Sequence, residues 1–266
     1  MKIMAIGGGN NSNIRKNGLP QVYEQENIDK EIIRISNKKT PNVLFVSHAS
    51  DLELQEASFN KIVNTYQKMY SCPVKLLTIE MLKDFKQTLE LVRWADIIYV
   101  GGGNIKKMLD LWKQFGFDEL LQIESIDEKV LCGISAGAGC WFSHCCSDYL
   151  QMENPNAPFA LVQGLNMIDT IFNPHASYPG KMESIKELLK DTDMKGISLT
   201  DNMAIEIIGE RYKLIEGISS ENQPIMALLS YWKEGKYYIE QVSKDGLVEE
   251  LTNRFNYEYK LGKNNN

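Results

Sequence analysis

Val130-Leu131-Cys132-Gly133-Ile134-Ser135-Ala136-Gly137-Ala138-Gly139-Cys140-Trp141 divides at its serine. The first half is apolar and reads as a buried strand. The second half is a run of small residues leading into Trp141-Phe142, and it reads as the opening of a helix packed closely on a sheet. Gly133 and Gly137 flank Ser135 in the glycine-x-serine-x-glycine spacing of a nucleophile elbow. A sharp strand-to-helix turn thrusts the hydroxyl out of the sheet, and only small neighbours let the backbone bend so tightly. Unpaired N–H groups at the head of the helix then face any anion that forms there. The same spacing also arises by chance, or as a plain strand–helix crossing. The rest of the chain must decide between a catalytic and a structural turn.

Outward from this stretch, strands alternate with helices. Residues 1–6 read as a first strand, ending in Gly7-Gly8-Gly9-Asn10-Asn11. That loop lacks the Gly-x-Gly-x-x-Gly spacing of a dinucleotide site and reads as a turn at the sheet's carboxyl edge. Further strands are expected at 43–47, 74–78 and 95–100, separated by helices over 23–37 and 52–69 and one before residue 95. Gly101-Gly102-Gly103-Asn104 follows the fourth strand and precedes a helix from Ile105. After the elbow helix comes a polar rim, 147–158. A strand at 165–172 ends in Asn173-Pro174-His175, a helix spans 182–190, and a strand and turn fill 196–202. Two hairpins follow, 204–208 with 211–215 and 228–232 with 237–242. This order predicts an α/β fold: a doubly wound, mainly parallel sheet flanked by helices, with C-terminal β-hairpins. Residues 1–262 form a single domain in this reading, and 263–266 a disordered tail.

Composition narrows the function. The 266 residues are 43% hydrophobic and 24% charged, ordinary for a globular chain, and carry a net charge of −6. An acidic balance argues against a nucleic-acid partner, and no apolar run is long enough for a membrane span. The N-terminus is too quickly broken by glycine for a secretion signal. Five cysteines (72, 132, 140, 145 and 146) contain no Cys-x-x-Cys pair, and they point to a reducing cytoplasm. The carboxylates and three histidines show no metal-ligand spacing, so neither metal nor cofactor is expected.

A serine attacks a carbonyl only when a base takes its proton. His48 ends a strand upstream, and His144 lies nine positions after Ser135 on the expected elbow helix, pointing away from the active edge. His175 follows a stiffening proline at a strand's carboxyl end and is the preferred base. The base needs an acid to fix its tautomer, and Asp201 at the end of the next strand is the choice, with Asp148 and Glu206 as rivals. Asp169 is too distant along the strand that leads to His175. The three glycines after the fourth strand expose N–H groups suited to an oxyanion hole. The order serine, histidine, acid departs from that of α/β-hydrolases.

Taken together, Tyr99-Val100-Gly101-Gly102-Gly103-Asn104, the elbow at 133–138, Asn173-Pro174-His175 and the segment 199–205 resemble the peptidase E family of serine peptidases, which includes aspartyl dipeptidases and cyanophycinases. The resemblance implies a fold related to class I glutamine amidotransferases, with serine replacing their cysteine. It implies Ser135 as nucleophile, His175 as base, and the backbone N–H groups of Gly103 and Ala136 as the oxyanion hole. Asp201 falls where well-known members carry glutamate. Aspartyl dipeptidases read an N-terminal aspartate with an arginine downstream of the histidine. Here 176–189 holds Lys181 and Lys186 but no arginine. The expectation is therefore a serine peptidase acting on short peptides, as monomer or homodimer, with Gly102, Asn104 and Asn173 as candidate substrate contacts. An esterase or amidohydrolase, or a non-catalytic amidotransferase-like binding module, would use the same residues.

Overall fold

Strand β1 (Lys2–Ile6) alternates between two apolar layers. Ile3 and Ala5 join one buried cluster, Met4 and Ile6 the other. A strand covered on both faces must be apolar at every position, and β2 (Val43–Val46), β4 (Ile97–Val100) and β5 (Val130–Ile134) follow the same rule. With β3 (Val74–Leu77) they form a parallel array in the order β1-β5-β4-β2-β3. The structure is a computed structural model that describes residues 1–9, 23–124, 129–218 and 224–252. The tail expected at 263–266 lies outside the described residues.

Helices pack on both faces of this array. On one face, α1 (Glu26–Ile35) seats Ile28 and Ile32 against Met4 and Ile6. α2 (Leu52–Ile62), prolonged by a wider turn over Val63–Met69, adds Tyr66. The opposite face takes α3 (Phe85–Trp94), α4 (Ile105–Phe115) and α5 (Phe117–Glu124). Asn104 caps α4 by accepting the Lys107 N–H at 3.0 Å, and Gly116 ends it at φ 66°, a left-handed conformation that costs glycine little. Among the described residues no helix is long and apolar enough to cross a membrane.

The elbow region departs from the sequence reading. α6 is a single turn, Ala136–Gly139, and the chain then enters strand β6 (Phe142–Ser147) rather than a long helix. Gly137 sits so close to the end of β4 that a Cβ there would lie 2.7 Å from the Gly101 carbonyl oxygen, and one at Gly139 would lie 2.8 Å from Cys145 Cβ. Two glycines in four residues cannot sustain a helix. Phe142 instead stacks on Phe172, ring centroids 4.7 Å apart, in the core of a second sheet. His144 therefore lies on a strand, half-buried.

That second sheet is not revealed by the sequence pattern. It pairs β6 with β7 (Ala160–Gln163), β8 (Ile168–Asn173), β9 (Gly196–Leu199), β12 (Ala227–Lys233) and β13 (Lys236–Gln241), in the order β13-β12-β9-β8-β6-β7. Helix α7 (Lys181–Leu189) packs on it through Ile185 and Leu189. The chain returns to the first sheet through β10 (Met203–Ile208), antiparallel to β1, then β11 (Arg211–Glu216) and β14 (Asp245–Leu247). A short helix, α8 (Val248–Leu251), follows. Both expected hairpins are present, as β10–β11 and β12–β13. The chain thus crosses from the first sheet to the second after β5, at Ser135, and back again between β9 and β10, at Asp201.

Candidate active site

Ser135 occupies the first crossing in a strained conformation, φ 54° and ψ −116°. Backbone strain of this kind costs about 1–3 kcal/mol and persists only where its surroundings enforce it. Here the Ser135 N–H donates to the Ile6 carbonyl at 3.0 Å, and its own carbonyl accepts from Ala138 and Gly139 at 3.0 and 2.9 Å. A Cβ at Gly133 would stand 2.9 Å from the Val100 oxygen, so the strand before the serine cannot carry a side chain there.

His175 follows β8 and is also held at positive φ, 54°. Its N–H donates to Gly7 O at 3.1 Å, and the next residue, Ala176, donates to Leu199 O at 3.0 Å. Nε2 then lies 2.8 Å from Ser135 Oγ, and Nδ1 lies 2.6 Å from Asp201 Oδ1. Both side chains are about one-fifth exposed (22% and 23%), open to a cleft yet shielded from bulk water. With Nδ1 protonated toward the carboxylate, Nε2 is the acceptor for the serine proton, the arrangement that activates a hydroxyl. Neither rival acid bonds the histidine. Asp148 is exposed at the rim of the cleft, and Glu206 is engaged with Arg34 at 3.4 Å.

The loop after β1, which reads in sequence as a plain turn, is the joint of the site. Gly7 O takes the His175 N–H, and Gly8 O takes the Asn202 N–H at 3.0 Å and Gln25 Nε2 at 3.1 Å. Gly8 lies directly against the histidine–aspartate contact, so that a Cβ there would overlap Asp201 Oδ1 and the His175 ring. Three glycines ending the central strand were the available signal, the same signal that singled out 101–103.

Gly103 and Ala136 line the cleft beside Ser135 and His175. Gly103 takes φ 135°, and a Cβ there would stand 3.0 Å from the Ser50 nitrogen. Gly102 lies under the serine, its hypothetical Cβ 3.4 Å from Ser135 Cβ. Two candidate substrate contacts fall elsewhere. Asn104 spends its side chain capping α4, and its N–H donates to Ala49 O at 2.8 Å. Asn173 is fully buried, donating to Ser198 Oγ at 3.0 Å. Neither of the other two histidines bonds the serine. His48 is buried, accepting from Trp112 Nε1 at 3.0 Å on Nδ1 and donating from Nε2 to Leu77 O at 2.9 Å. Burial pushes its pKa down to about 4, so it is a neutral structural residue. Burial likewise lowers that of His144.

Cys145, Cys146 and Lys181 complete the wall. Burial pushes the two thiols up to about 12 and about 11, which leaves them protonated and poorly nucleophilic beside the serine. Lys181 is 2% exposed. Its Nζ donates to Cys146 O at 3.1 Å and lies 4.6 Å from the centre of the Phe159 ring. Among the described residues no carboxylate lies within 4 Å of it. Also among them, no cluster of three or more histidine, cysteine or acidic residues could hold a metal ion.

The sequence model of peptidase family S51 matches residues 14–215. The chain belongs to peptidase family S51. It is a peptidase, hence a hydrolase, and the resemblance to peptidase E read from the motifs is borne out. The S51 chain is 27% identical over 226 residues to the uncharacterized peptidase YgaJ of Bacillus subtilis (strain 168), covering 83% of this chain and 88% of that protein. Its fold is similar to that of a peptidase from an acI-B1 Actinobacterium, with TM-score 0.62, 18% identity and coverage of 92% and 96% of the two chains. A Listeria monocytogenes EGD-e protein named as a peptidase E superposes with TM-score 0.58 at 20% identity, over 82% of this chain and 98% of that one.

Proposed function

We propose that this S51 peptidase hydrolyses short peptides through a covalent acyl-enzyme on Ser135. The observation that carries the reading is the continuous chain Ser135 Oγ, His175 Nε2 and Nδ1, Asp201 Oδ1, with links of 2.8 and 2.6 Å. Ser135 Oγ attacks the scissile carbonyl as His175 Nε2 accepts its proton, and Asp201 holds the imidazolium. The oxyanion develops toward the N–H groups of Gly103 and Ala136. His175 returns the proton to the leaving amine, and a water activated by the same nitrogen cleaves the ester. Lys181, a buried cation with no carboxylate at hand, favours a substrate carboxylate in the cleft, because a buried charge is stable only when paired. The five free, buried cysteines support a reducing compartment such as the cytoplasm.

A fluorophosphonate probe tests the assignment. It should label the wild-type protein and leave Ser135→Ala unlabelled. Labelling that survives the substitution would remove Ser135 as nucleophile.

A further inference from the structure

One side chain outside the Ser135–His175–Asp201 chain touches both of its last two members. Tyr178 lies three residues after His175, and its N–H donates back to the His175 carbonyl at 2.8 Å. This turn folds the phenol ring over the imidazole, with centroids 4.7 Å apart and planes tilted by 31°. The hydroxyl donates to Asp201 Oδ2 at 3.3 Å, the oxygen that His175 does not use. Burial and the neighbouring carboxylate push the phenol's pKa up, so the hydroxyl keeps its proton and remains a donor. The residue as a whole is 51% exposed, so it does not belong to the core.

We propose that Tyr178 is a positioning residue for this reaction, acting through His175 and Asp201 rather than on substrate. The inference rests on the reading of Ser135 and His175 as nucleophile and base. Two effects follow from the contacts. The hydroxyl fixes the carboxylate plane by holding its second oxygen, so that Oδ1 stays aimed at Nδ1. The ring presents its electron-rich face to the imidazole, and that contact strengthens when the imidazole becomes a cation. The imidazolium exists only once the serine proton has moved. The ring's contribution is therefore larger in the transition state than in the resting enzyme, the condition for raising turnover rather than binding alone.

The test needs no knowledge of the substrate. The rate of fluorophosphonate labelling of Ser135 is measured from about pH 5 to about pH 9, the range spanning an ordinary histidine, for wild type, Tyr178→Phe and Tyr178→Leu. Tyr178→Leu removes the ring face that favours the imidazolium. Its acid limb should move to lower pH by about half a unit, with a plateau rate reduced about tenfold. Tyr178→Phe keeps the ring and loses the hydroxyl, so its limb should not move to lower pH while its plateau falls about threefold to tenfold. A merely structural tyrosine would change the amount of active protein and leave the limb where it is. Superimposable limbs for wild type and Tyr178→Leu would overturn the proposal while leaving the nucleophile intact. Failure to label wild type, or labelling retained in Ser135→Ala, would overturn the underlying assignment and this inference with it.

Discussion

Adding a single methyl group at Gly8 should disable the site while leaving the fold standing. The Cβ of Gly8→Ala would enter the volume of Asp201 Oδ1 and of the His175 ring, nearer than any real Cβ approaches such atoms. Restoring van der Waals separation requires a relative displacement of about 1 Å. The neighbours cannot yield freely, because Gly8 O is tied to Asn202 and Gln25, and Gly7 O to His175. The displacement therefore falls on the 2.6 Å histidine–aspartate contact itself. A misplacement of about 1 Å in a catalytic group costs about 100-fold, or ~2.7 kcal/mol in the barrier. Fluorophosphonate labelling rates, read beside thermal denaturation, measure the effect. Gly209→Ala is the control: its methyl group meets nothing within 4 Å, so although the left-handed φ of 58° there makes it lower the denaturation temperature, it should leave labelling unchanged. A folded Gly8→Ala protein that labels at the wild-type rate would refute the claim that this glycine exists to admit the pair.

Three further outcomes follow from the same geometry. Asp201→Asn should preserve the fold and lower the labelling rate by about 10⁴-fold, because an amide no longer holds the imidazole in the accepting tautomer; a loss below tenfold would point to another acid. Lys181→Met should weaken hydrolysis of peptides carrying an acidic residue about 10- to 100-fold relative to neutral ones, from the loss of a charged hydrogen bond, and an unchanged ratio across a peptide panel would exclude the lysine from recognition. His48 has a folded pKa of about 4 against an ordinary 6.5, so the unfolded chain binds its proton first as pH falls. Its stabilisation is full above pH 6.5 and is lost on acidification toward 4, by about 3 kcal/mol. Urea denaturation should then show the stability gap between wild type and His48→Asn narrowing over that window. Measuring the gap rather than wild type alone removes the opposing contribution of Asp29, whose buried carboxyl is pushed up to about 6. A gap independent of pH would contradict the neutral, buried assignment.

Much of the site was legible because its signals are local. Gly133-x-Ser135-x-Gly137 encodes a turn whose neighbours must be small, and the small residues are written next to the serine. His175 and Asp201 each sit just past an apolar strand, and residues so placed gather at one edge of a sheet. The strand that follows the elbow is not legible locally, because Trp141 and Phe142 suit either a helix or a strand. The choice was made by Phe172, thirty residues downstream, against which Phe142 stacks. Lys181 was read only as the absence of an arginine, since its burial in the cleft depends on α7 packing against β6.

The sequence by itself determined which residue types could do the chemistry and that they stand at strand ends, because hydrophobic period and glycine spacing are properties of neighbouring residues. Tertiary structure alone decided that two sheets exchange the chain at Ser135 and Asp201, and that Gly8, Tyr178 and Lys181 close around them. Those contacts join residues up to 193 positions apart, from Gly8 to Asp201. No local pattern reports them, since they form only when both sheets are packed and the space between them is filled.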